Sequence, residues 1–265
     1  MAIDEEVGFN PLSQSSYFLR SRDNDNDLSC ATGFFVRRNG GLFLITNWHV
    51  VSGRNSETNE CLSSTCAIPN NLLVRIHKQS QVIEFDELVV PLHDANGDPL
   101  WLEHPLHGGN VDVVAIQIDL PAHLIALDVE DFIEPFNDDT REVVADDVFI
   151  LGYPFGISAG GIFPIWKRAS IASEPSLNLS GLPKMLVDTA SRSGMSGSPV
   201  VLLSRRPITL MGPSPTDPNA RVMSRHRMKI VGVYSGRIGA KDRTMEAQLG
   251  IVWKMDVVDE IINRQ

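Results

Sequence analysis

Apolar runs in this chain are short. Segments rich in Val, Ile or Phe are cut within about ten residues by Asp, Pro or Arg, well below the ~20 needed to cross a bilayer. Gly33–Arg38, Leu42–Thr46, Leu72–His77, Val111–Ile118 and Val148–Leu151 read as strands, the first two joined through Asn39-Gly40-Gly41. Ile162–Ala172, Met185–Asp188, Pro199–Leu203, Lys229–Tyr234 and Leu249–Trp253 repeat the pattern. Alternating strand and helix units are missing from this reading, so an antiparallel, all-β protein is expected. The exception is the tail, where Asp256 can cap a helix that puts Val257, Val258, Ile261 and Ile262 on one face.

The 265 residues suit one large domain or two packed halves sharing a cleft. The acidic stretch 121–140, with two prolines, reads as the connection between an N-terminal half, 1–120, and a C-terminal half, 141–265. Arg205–Met228, with four prolines and a cluster of arginines, reads as a long basic surface loop. A net charge of -10 argues against general nucleic-acid binding, leaving only that loop as a local basic patch. The opening MAIDEEVGFN carries three acidic residues and neither a basic nor an apolar signal region, so no export or membrane signal is read and a cytoplasmic location is expected. Cys30, Cys61 and Cys66 are then expected as reduced thiols, although Cys61 and Cys66 can pair under oxidation.

Three segments carry candidate chemistry. In Leu44–Val51 a buried strand runs straight into His49, whose imidazole can accept and return a proton near neutrality. In Val111–Ile116 an aspartate, Asp112, opens an apolar strand, where burial demands a hydrogen-bonding partner. In Ser193–Val201 glycines flank Ser196 in a tight turn that exposes backbone N–H groups beside its hydroxyl. Each has an ordinary structural explanation when taken singly: a surface histidine, a strand-capping aspartate, a small-residue turn.

Together, in this order, they resemble the trypsin/chymotrypsin clan of serine peptidases, in particular its bacterial HtrA/Deg-like branch. LITNWHVV resembles the branch's histidine segment, VDVVAIQI its aspartate strand, GMSGSPVV the serine loop, and Leu151–Gly156, LGYPFG, a turn early in the second barrel. The His, Asp, Ser order differs from the subtilisin and α/β-hydrolase frameworks, and Ser198 stands where the α/β-hydrolase elbow needs glycine.

The resemblance implies two antiparallel six-stranded β-barrels with a C-terminal helix, and a serine endopeptidase working through an acyl-enzyme. It implies His49, Asp112 and Ser196 as the catalytic set, an oxyanion hole from the N–H groups of Gly194 and Ser196, and no metal or organic cofactor. It places Ala190, six residues before the serine, and Val233, Tyr234, Ser235 and Gly236 around the substrate; an uncharged Ala190 disfavours basic side chains. Met195 replaces the aspartate that receives the freed N-terminus in secreted zymogens, and no PDZ domain is expected after the helix. Regulation is therefore expected from loops, homo-oligomeric assembly or a partner. The alternative is a catalytically silent or latent peptide-binding module of the same fold. Among lesser signals, Asp23–Asp27 lacks the glycine and glutamate of a calcium loop, and His104 and His107 read as surface histidines.

Overall fold

The computed structural model describes residues 9–80, 82–133, 141–190, 192–204, 208–209, 222–223, 227–237 and 248–263. A short 3-10 turn, Pro11–Gln14, leads into β1 (Ser16–Asp23), β2 (Asn26–Arg38) and β3 (Gly41–Thr46), followed by a one-turn helix α1 (Trp48–Ser52). Then come β4 (Asn71–Lys78), β5 (Phe85–Pro91), β6 (Trp101–Leu102), β7 (Val114–Gln117) and β8 (Leu124–Ile125). They form one antiparallel sheet in the order β5-β4-β1-β2-β3-β7-β6, with β8 added on β4. The second half contains β9 (Asp147–Gly152), β10 (Ile165–Ile171), β11 (Lys184–Asp188) and β12 (Pro199–Ser204). A two-strand ribbon of β13 (Ile208–Thr209) and β14 (Val222–Met223) precedes β15 (Arg227–Arg237), β16 (Leu249–Lys254) and helix α2 (Asp256–Asn263). Strands β10-β11-β16-β15-β12-β9 close into a six-stranded barrel.

The fold is chymotrypsin-like and nearly all-β, as expected. The second half meets the six-strand expectation; the first differs in detail, because eight strands, two of them of only two residues, build a sheet rather than a closed six-strand circuit among the described residues.

Strand alternation sends side chains to two faces, and the buried residues accordingly fall into three groups. Tyr17, Leu19, Phe35, Leu44, Val74 and Ile116 fill the inside of the first half. Val148, Ile150, Met185, Val200, Val231 and Val252 fill the second barrel. A third group, including Phe34, Val36 and Val113 from the first half and Leu151, Trp253, Val257 and Val258 from the second, seals the halves together. Each such side chain, fully buried, contributes roughly 1.5–3 kcal/mol. The interface group places the β3–α1 corner and the β12 entry turn on opposite sides of one seam.

Helix α2 is fastened to the first half by more than its apolar face. Arg38 donates from Nε to Asp259 at 2.7 Å and through both Nη atoms to Glu130 at 2.7 and 2.9 Å. His104 Nδ1 accepts the N–H groups of Leu106 and His107, so Nε2 carries the proton and donates to Glu260 at 2.7 Å. His104 is thus buried at 4% exposure, not the surface histidine expected, because its two nitrogens close the turn and reach the helix.

Cys61 and Cys66 are joined in a disulfide: the loop after α1 folds back on itself, with the N–H of Leu62 donating to the Gly53 carbonyl, and brings their Cα atoms to 5.1 Å. The acidic run Asp23–Asp27 is the β1–β2 hairpin turn, its Asp27 paired with Arg20 and Arg22. Within 121–140, expected as a connection, β8 pairs with β4 and Asp128 bridges to Phe35, so the described part lies on the first half.

Candidate active site

Strand β3 ends at Thr46, and Asn47, with ψ of 151°, turns the chain into α1, putting His49 in its first turn. Gly53, at φ of 67°, stops the helix by donating its N–H to the His49 carbonyl. Asp112 precedes β7 rather than opening it: the strand expected over Val111–Ile118 is regular only from Val114 to Gln117. The reason is that the residues before it serve α1. Asn47 Nδ2 donates to the Asp112 carbonyl at 2.6 Å, and the His49 N–H donates to Asp112 Oδ1 at 2.9 Å.

The Asp112 side chain is buried, and its second oxygen, Oδ2, lies 2.7 Å from His49 Nδ1. A carboxylate can only accept, so Nδ1 carries the imidazole proton and Nε2 faces outward as an acceptor. The Ser196 hydroxyl sits 3.0 Å from that Nε2 and donates to it. Burial of the ring disfavours its charge, but the Asp112 charge and hydrogen bond outweigh burial and hold the His49 pKa above the ordinary value of 6.5. The structure therefore brings together all three residues singled out from the sequence.

The serine loop is anchored from both halves. Gly194 and Gly197 have φ of 95° and 81°, the left-handed region where glycine is favoured. A Cβ on Gly194 would collide with the Tyr153 carbonyl oxygen, and one on Gly197 with the Thr32 carbonyl oxygen. Thr32, on β2, donates its N–H to the Ser196 carbonyl and its hydroxyl to the Gly194 carbonyl, both at 2.8 Å. The same hydroxyl accepts the Tyr153 N–H at 3.2 Å. Sequence reasoning missed Thr32, since a threonine inside a strand carries no local signal of such a role. Met195 is fully buried in the second barrel, packing where the zymogen clan keeps a charge.

Of the residues expected around a substrate, Ala190 is half-buried just past β11. Val233 and Tyr234 are fully buried, and the Tyr234 backbone is committed to Gly197 and Ser198. Ser235 and Gly236 run past the last β12 partner, Pro199 pairing Val233, and are half-buried. Ser235 lies at a bulge against β16, and its Oγ accepts the Trp253 indole N–H at 3.1 Å. Of the basic loop, Arg205, Arg206, Arg221 and Arg225 lie outside the described residues; Arg227 and Met228 belong to β15, and Lys229 pairs with Glu142 at 2.6 Å.

A seam between two β-rich halves, with an imidazole held between a buried carboxylate and a hydroxyl, defines the serine-protease class. The trypsin-like peptidase domain model matches residues 31–208, and the chain belongs to that family. Among solved structures it is similar to a serine endoprotease from Yersinia pestis, at 12% identity and a TM-score of 0.51, over 95% of this chain and 62% of that one. This chain thus spans less than two thirds of the length of that protein. It is also similar to the thermostable serine protease AL20 from an extremophilic microorganism, at 11% identity and a TM-score of 0.51, over 96% of this chain and 98% of that one. No curated protein sequence matches it significantly.

Proposed function

We propose that the protein is a serine endopeptidase that cleaves polypeptides through an acyl-enzyme on Ser196. The observation that carries this reading is the continuous run from Asp112 through His49 to Ser196, at 2.7 and 3.0 Å. His49 takes the hydroxyl proton as Ser196 attacks a peptide carbonyl, and then returns it to the leaving amine. Asp112 fixes the tautomer and stabilises the imidazolium. Negative charge on the former carbonyl oxygen is received by the N–H groups of Gly194 and Ser196. The Ser235–Gly236 backbone, free of β12, offers hydrogen bonds to an extended peptide. An uncharged Ala190 favours small or medium apolar side chains over lysine and arginine.

Fluorophosphonate labelling tests the reading. Wild-type protein is expected to label on Ser196, and S196A and H49A are expected to lose the label. Absence of labelling together with retained peptide binding would instead make this chain a peptide-binding module on the same fold.

A further inference from the structure

Three consecutive residues of the β3–α1 corner each donate a hydrogen bond to the single loop that carries Asp112. Asn47 donates to the Asp112 carbonyl and His49 to the Asp112 carboxylate. Between them, the Trp48 indole Nε1 donates to Glu103 Oε1 at 2.7 Å. The same oxygen accepts the Trp101 indole N–H at 2.9 Å. Gly109 completes the seat: a Cβ there would come within 2.5–2.8 Å of the Trp48 indole, so only bare backbone lets the ring lie against the loop.

We infer that Glu103 is a positioning residue, a clamp that holds α1 against the Asp112 loop and so sets the His49 to Asp112 distance. The inference rests on the peptidase reading for its effect on turnover. The Asn47 and His49 bonds both end on Asp112 itself, so they tie the corner to the loop at that one residue. Glu103 acts nine residues earlier, at the far end of the loop, and grips the side chain next to His49. One carboxylate oxygen shared by two indoles fixes Trp48 relative to Trp101, on β6, which pairs with β7 through Trp101–Ile116 and Leu102–Ala115. Movement of α1 is thereby referred to the strand that follows Asp112. A charged acceptor makes each of these bonds stronger than a neutral pair would.

The test uses full-length protein with E103A, E103Q and W48F. In E103A the clamp is absent; the labelling rate and kcat are expected to fall about tenfold, with KM for a short peptide little changed. The acid limb of kcat/KM moves to lower pH as Asp112 loosens, and the downfield Nδ1 proton resonance of His49 shifts or broadens. E103Q keeps an acceptor oxygen for the indoles and recovers most of the rate. W48F, which keeps a ring on Gly109 but removes the donor, resembles E103A and carries the test if E103A fails to fold. Wild-type rate, acid limb and resonance in folded E103A or W48F would overturn the clamp, and so would equal losses in E103Q and E103A with the resonance unmoved. A resonance shift in E103A with no labelling even of wild type would uphold the clamp while removing the peptidase reading.

Discussion

The carbonyl oxygen of Ser193 accepts a hydrogen bond from the N–H of Phe155 at 2.7 Å. Since no peptide bond among the described residues is cis, the Gly194 N–H on the same peptide unit as the Ser193 carbonyl points the opposite way, away from the Pro154–Gly156 turn. Phe155 reaches this position with φ of 53°, an unfavourable backbone for a bulky residue. The serine loop is thus held in one orientation by the second barrel.

Replacing Gly194 by alanine sets a side chain against the Tyr153 carbonyl and a left-handed backbone at once. Fluorophosphonate labelling of G194A is expected to fall by about 100-fold while the fold is retained by circular dichroism. Labelling at the wild-type rate would show that this N–H takes no part.

Thr32 offers a test from the opposite half. In T32V the Gly194 carbonyl loses its donor and the Tyr153 N–H its acceptor, at a cost of about 1–3 kcal/mol for the buried groups left unpaired. Slower labelling in T32V, restored in T32S, would tie the loss to the hydroxyl. A fall in thermal stability with labelling intact would confine Thr32 to packing.

The pH dependence follows from His49. Its neutral form is the one that accepts the serine proton, and Asp112 holds its pKa above 6.5 in spite of burial. kcat/KM should therefore rise with pH through a value higher than that of a free histidine. Because the folded value is raised, the pair's contribution to stability is complete below pH 6.5 and is lost as pH rises through the folded pKa. D112N should move the acid limb downward and slow labelling steeply; a profile unchanged by D112N would contradict the pairing.

The Cys61–Cys66 disulfide closes a small ring, so its removal should have a modest effect, about 2 kcal/mol by the chain-entropy estimate. A matched comparison of wild type and C61S/C66S by thermal unfolding checks this. Since the loop starts at Gly53, just beyond α1, KM for longer peptides should respond more than the labelling rate.

Much of this molecule was legible from local pattern. His49, Asp112 and Ser196 stand out because each lies beside a short apolar run, and order along the chain sorts them into one framework. β1 went unread because Ser16–Asp23 mixes polar residues into both faces, several of them only half-buried. β5 was missed for a related reason: Asp86, Glu87 and Val89 face solvent, which blurs the alternation. Glu103 and Thr32 left no trace in the sequence because their roles depend on partners up to 55 and 164 residues away, and LGYPFG gave no sign that Phe155 would bond to Ser193, 38 residues on. The family resemblance places Val233 and Tyr234 beside the substrate, but their enclosure within the barrel is not visible in sequence.

The bond between Arg38 and Asp259 spans 221 residues. A ribosome making this chain releases His49 and Asp112 long before Ser196, and Ser196 before the helix that fastens the halves. The nascent N-terminal half can form its own sheet, but the apolar group that covers its outer face, with Phe34, Val36 and Val113, is not complete until Trp253, Val257 and Val258 arrive. Assembly of the seam consequently waits until these residues have been made, and a shorter nascent chain carries His49, Asp112 and Ser196 without the surface that closes the halves together.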